Sequence, residues 1–135
     1  MKFLVTIAIS LTCSATLAAD LTIKITNVEE TTGTIYIAIW KDETNWPAGE
    51  PWRGYTTAVQ APETNYTLDI EEGIYAVSVF QDLNGNAKLD RNAIGLPREP
   101  YGISNDAPAR FGPPKWQKMT FRVGAEGYTA ELKLR

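Results

Sequence analysis

The chain has no histidine and a single cysteine, Cys13, among its 135 residues. Without histidine there is no Ser-His or Cys-His pair to activate a nucleophile, and zinc loses its usual nitrogen ligands. Cationic residues are also in short supply, 13 Lys and Arg against 16 Asp and Glu, and along the sequence they are interspersed with acids rather than blocked. Nucleic acid is therefore not an expected partner, because binding it normally requires a clustered basic face. Long apolar runs are missing too. The longest, Phe3 to Leu11, falls short of the roughly 20 residues a membrane span needs.

That run follows one cation, Lys2, and leads into small residues ending Thr16-Leu17-Ala18-Ala19. The pattern is that of a secretory signal peptide, residues 1–19, with cleavage expected after Ala19 or after Ala18. Cys13 would leave with it, so the mature domain, residues 20–135, has no thiol and must rely on packing and possible metal binding for stability. Its formal charge is −4, since only Lys2 is lost from the whole-chain value of −3. The expectation is one exported domain, periplasmic or extracellular, without a membrane span.

Alternation is easy to read in what remains. Leu21, Ile23 and Ile25 alternate with Thr22, Lys24 and Thr26, as do Tyr66, Leu68 and Ile70 with Thr67 and Asp69. The same period appears from Lys118 to Val123 and from Tyr128 to Arg135. Each run predicts a half-buried strand. Thr34 to Trp40 and Ile74 to Gln81 are apolar on both faces, as central strands covered on both sides would be. With a weaker strand near Tyr55 to Ala61, about seven short strands are expected. They predict an all-β fold, a single antiparallel β-sandwich of immunoglobulin-like or prealbumin-like type.

Two segments interrupt this meander. Lys41 to Gly54 holds Trp46 and Trp52, and Asp82 to Lys115 carries five prolines together with Ile94, Leu96, Tyr101, Ile103 and Phe111. A connection this long is usually functional or disordered, and its apolar residues predict order.

The long segment opens on Asp82-Leu83-Asn84-Gly85-Asn86-Ala87-Lys88-Leu89-Asp90. Side-chain oxygens of Asp82, Asn84, Asn86 and Asp90, with the Lys88 carbonyl, fall at the spacing of a calcium loop. Ala87 stands where an EF-hand has glycine and Ala93 where it has its bidentate glutamate, which predicts a looser loop between strands. With two carboxylates and the cations Lys88 and Arg91 beside them, calcium would be structural and weakly held, at roughly 10⁻⁴ to 10⁻³ M. The competing reading is a plain turn, because Asp, Asn and Gly tolerate left-handed backbone and cap it with their side chains. Glu99, Asn105 and Asp106 stand further along, either completing the shell or holding the loop to itself.

The remaining candidates form a ligand surface. Trp46, Trp52 and Tyr101 could stack on a glycan or grip a protein, and Glu99, Asn105 and Arg110 could supply polar contacts. The alternative for the aromatics is that they cap the core. A non-catalytic binding or structural module is the expectation. The other readings are a carbohydrate-binding module and a hydrolase using Glu99 and Asp106 as an acid–base pair.

Three motifs together carry a resemblance: Asp82-x-Asn84-x-Asn86-x-Lys88-x-Asp90, then Gly95-x-Pro97-x-Glu99-x-Tyr101-Gly102-x-Ser104-Asn105, then Phe111-Gly112-Pro113-Pro114. The chain resembles the bacterial domain of unknown function 2141 family over most of its mature length. The resemblance implies an exported small all-β domain and no established activity.

Overall fold

The computed structural model describes residues 18–135. Its strands are β1 (Ala18–Thr26), β2 (Thr34–Trp40), β3 (Arg53–Ala58), β4 (Thr64–Glu71), β5 (Gly73–Asp82), β6 (Tyr101–Ile103), β7 (Phe121–Val123) and β8 (Tyr128–Lys133). The leader expected over residues 1–19, with Cys13, lies outside the described residues except for Ala18 and Ala19. Those two form the first rungs of β1, opposite Glu71 and Ile70. Among the described residues no helix is long and apolar enough to cross a membrane.

The strands make two sheets, β4-β1-β8 and β3-β2-β5-β6 with β7 also on β5, and together they form the all-β sandwich that the alternation predicts. One ladder within it is parallel: β8 runs alongside β1 from Leu21 opposite Tyr128 to Thr26 opposite Lys133. These two strands are the first and last of the chain, so no hairpin turn dictates their relative direction.

Every second residue of the central strands enters one core. Leu21, Ile23 and Ile25 meet Ile35, Ile37 and Ile39 of β2, Val77 and Val79 of β5, and Leu132 of β8, all buried. Each such side chain contributes about 1.5–3 kcal/mol on leaving water. Gly102 faces this layer from β6, where a Cβ would sit 3.2 Å from the Lys133 carbonyl, so a larger residue would push the two sheets apart.

The opposite face of β5 is covered as well, which explains why Ile74 to Gln81 has no polar side. Trp40, Ala76, Ile103, Ala107 and Met119 form a second, smaller core there, flanked by Trp46, Tyr101 and Trp116. The chain that covers this face leaves the sheet twice. The first excursion is residues 83–100, between β5 and β6. The second, residues 104–120, separates β6 from β7, although both strands pair with β5: Tyr101 opposite Phe80 and Ile103 opposite Ser78, then Phe121 opposite Tyr75.

Met119 accordingly differs from its sequence reading as the start of a strand. It ends a single helical turn, Trp116–Met119, yet is fully buried. The foot of the second excursion is pinned by Ser104, whose hydroxyl donates to the Met119 carbonyl at 2.5 Å and accepts from the Val77 amide at 3.0 Å. The Ser104 side chain thus supplies the bond that an uninterrupted strand would have given to Val77.

Candidate functional site

Asp82 ends β5 with its side chain buried at 2% exposure. One carboxylate oxygen accepts from the Gly85 amide at 3.0 Å and the other from the Ala87 amide at 2.8 Å. That geometry needs left-handed backbone, which Gly85 (φ +76°) and Ala87 (φ +60°) both adopt. Both residues make the turn, because two N–H groups must reach one carboxylate.

Two further side-chain turns follow. The Asn84 oxygen accepts from the Asn86 amide at 3.2 Å, and the Asn86 oxygen accepts from the Lys88 amide at 3.0 Å. Both asparagine NH₂ groups then converge on Asp90, from Asn86 at 2.7 Å and from Asn84 in a still closer contact. Asp, Asn and Gly favour such local side-chain-to-backbone bonds over continuing a strand.

Glu99 closes the mouth of this loop. Only 6% exposed, it accepts from the Leu83 amide at 3.1 Å through one oxygen and from the Asp90 amide at 3.3 Å through the other. The Arg98 amide donates to the Asp90 carbonyl at 2.7 Å and the Gln81 amide to the Pro100 carbonyl at 2.9 Å, so the return strand is laced to both ends of the loop. On the far side, Gly33 (φ +83°) packs so tightly that a Cβ would lie 2.1 Å from the Asp82 carbonyl.

All the loop oxygens are hard donors of the kind calcium takes. Among the described residues, no three Asp or Glu side chains are gathered closely enough to hold a metal ion by themselves. Two carboxylates would therefore need the asparagine and backbone oxygens. Each of these side-chain oxygens, those of Asp90 included, accepts one N–H and keeps a second lone pair for an ion.

Beside the clasp lies an apolar groove of about 230 Å³ on the outer face of the five-stranded sheet. Its floor is Ser78, Phe80 and Tyr101. One wall is Leu89, Arg91 and Gly95–Pro97 of the first excursion, and the other is Ala109 and Gly112–Pro114 of the second; Trp40 and Trp46 close the end. Trp46 meets Trp40 edge-on at 5.0 Å, and its indole N–H donates to the Pro114 carbonyl at 2.8 Å.

The sequence-predicted residues therefore separate into groups. Asp82, Asn84, Asn86, Lys88 and Asp90 come together with Glu99 as one hydrogen-bonded clasp, and Trp46 and Tyr101 share the groove. Trp52 is elsewhere, packed at 5.6 Å on Tyr75 with the Arg53 guanidinium 4.1 Å from its ring. Asn105 (φ +61°) serves the foot of the second excursion, donating to the Lys118 and Thr120 carbonyls. Arg110 is exposed beside Phe111, and Asp106 pairs with Arg135 at 2.5 Å. Glu99 and Asp106 are thus engaged by different parts of the chain. Trp40, Phe80 and Pro113 were missed as groove residues; the signal for them was the two-faced apolar pattern of β2 and β5, which required something to cover the outer face.

A family model described as an uncharacterised protein conserved in bacteria (DUF2141) matches residues 23–131, a span that takes in both sheets, the clasp and the groove. No curated protein matches the chain, and neither does any solved structure. The match covers most of the sequence, and the chain belongs to this bacterial family, DUF2141.

Proposed function

We propose that this protein is an exported, non-catalytic binding module in which the apolar groove takes a small apolar ligand and the Asp82–Asp90 loop is a structural clasp that holds calcium weakly. The observation that carries this reading is that clasp and groove share one stretch of chain. Glu99 ties Leu83 to Asp90, and the residues between Asp90 and Glu99 include the wall formed by Gly95, Leu96 and Pro97. Whatever stiffens the clasp stiffens the groove.

The groove volume lies a little under the roughly 300 Å³ at which sites for drug-sized ligands begin, which suits a small molecule. Calcium is supported by the all-oxygen donor set of Asp82, Asn84, Asn86, Asp90 and the Lys88 carbonyl, and by left-handed backbone at Ala87, the loop's sixth position. The ion would add charge stabilisation to a loop already folded on its own hydrogen bonds. Export is supported by the leader pattern of residues 1–19. A glycan platform has less support, because it needs an open aromatic face, while the Trp52 ring has Arg53 and Lys41 over it and Trp46 lies against Trp40.

The test has two arms. Naphthalene, a neutral apolar probe, should change the fluorescence of Trp40 and Trp46, and Ala109→Trp, which fills the groove, should remove the response. An unchanged spectrum would remove the ligand reading. In calorimetry, millimolar calcium should raise the melting temperature of the wild type but not of Asp82→Ala or of the gentler Asp90→Asn. An equal rise in all three would place the ion elsewhere.

A further inference from the structure

The two excursions carry exposed apolar side chains. Phe111 is fully exposed, Ile94 is 80% exposed and Leu96 47%. The apolar residues of this segment predict order, and Tyr101 and Ile103 do pack into the second core, whereas Ile94 and Phe111 project into solvent. They flank one opening, since Gly95 and Leu96 line one wall of the groove and Gly112 the other. Exposed apolar groups gathered at one edge mark an interaction surface.

The charge of the same segment is opposite to that of the chain. Residues 88–118 hold six cations, Lys88, Arg91, Arg98, Arg110, Lys115 and Lys118, against three acids, Asp90, Glu99 and Asp106, in a protein whose net charge is −3. The acids are engaged: Asp90 by the asparagines, Glu99 by two backbone amides, and Asp106 by Arg135. Among the described residues, by contrast, Arg91, Arg98 and Arg110 form no ion pair. The rim therefore combines projecting apolar side chains with uncompensated cations, within a protein that is otherwise acidic.

We infer that this rim docks on an anionic lipid surface, with Ile94 and Phe111 entering the headgroup–acyl boundary and Arg91, Arg98 and Arg110 meeting lipid phosphates. Apolar insertion and attraction to anionic headgroups are the two components of interfacial binding, and neither requires a spanning segment. Two tips on either side of a groove suit a soft surface that yields around each side chain. A protein partner would have to match both tips and the hollow between them. The inference does not depend on the groove being filled.

The test is sedimentation of the full chain with vesicles of phosphatidylcholine alone and of phosphatidylcholine mixed with phosphatidylglycerol. Binding should appear on the mixed vesicles, be weak on the neutral ones, and fall as salt is raised. Arg98→Gln with Arg110→Gln should weaken partitioning about twenty-five-fold, roughly fivefold for each charge. Ile94→Ser with Phe111→Ser should reduce it at least tenfold. All four side chains are exposed, so the variants should retain the wild-type circular dichroism. Equal binding to both vesicle types, no binding to either, or full binding by the Ile94/Phe111 variant would overturn the inference.

Discussion

Replacing Glu99 with glutamine keeps the size of the side chain but breaks the clasp at its mouth. The carboxylate accepts two backbone N–H groups, from Leu83 at 3.1 Å and Asp90 at 3.3 Å, at a site with 6% exposure. These are longer than the roughly 2.7–2.9 Å of strong charge-assisted bonds, so each belongs near the lower end of the range of about 1.5–3 kcal/mol for bonds to charged groups. Glutamine offers one oxygen, which can retain one of the two. Its NH₂ must then face the other backbone N–H, donor against donor, adding about 1 kcal/mol for a buried group left unsatisfied. The expected cost is about 2–3 kcal/mol. With a urea slope of about 1.5 kcal/mol per molar for a domain of this size, the unfolding midpoint should fall by between about 1 and 2 M. Hydrogen exchange at the Leu83 and Asp90 amides should quicken in parallel. A loss below about 0.5 kcal/mol, typical of a surface substitution, would refute the clasp.

Ala87→Gly should stabilise the protein by about 0.5–1 kcal/mol in urea unfolding, because left-handed backbone penalises a Cβ by more than glycine's extra unfolded-state freedom offsets. A loss of stability would contradict the left-handed turn at that position. Gly33→Ala should cost more than about 2 kcal/mol, since its Cβ would meet the Asp82 carbonyl 2.1 Å away; a neutral result would show that the turn before β2 does not press on the clasp. Burial raises the Tyr75 hydroxyl pKa above its usual value near 10, Glu71 adds to the rise, and Arg53 opposes it. The folded state then holds its proton longer than the unfolded state does. The stabilisation is complete below about pH 10 and is lost as pH rises through the folded value, and Tyr75→Phe should flatten that part of the stability curve.

The alternation of β1, β4 and β8 was legible because each buries one face, and β2 and β5 were legible as central strands because both their faces are apolar. β6 was not. Tyr101-Gly102-Ile103 has no period of its own amid glycine and proline, and it is a strand only because the edge of β5 is open opposite Ser78 and Phe80. Lys118 to Thr120 read as a strand from its period, yet Ser104 and Asn105 bind the Met119, Lys118 and Thr120 carbonyls and hold the chain off the ladder. In the clasp, Asp82, Asn84, Asn86 and Asp90 announced themselves by spacing. Glu99 could be placed only as an alternative between ligation and self-holding, because its partners, Leu83 and Asp90, are 16 and 9 residues away. The outward exposure of Ile94 and Phe111 had no sequence signal, since composition cannot distinguish an apolar residue that packs from one that projects.

The measurement that tests the central claim most directly is amide hydrogen exchange of the wild type with and without calcium, up to roughly 10 mM, about ten times the weak end for extracellular modules. Peptides covering residues 82–90 and the groove wall at 91–100 should slow together on adding calcium, while those from β1 and β8 remain unchanged. Calcium that leaves both segments as they were, or that slows the loop without the wall, would contradict the claim that the clasp orders the groove.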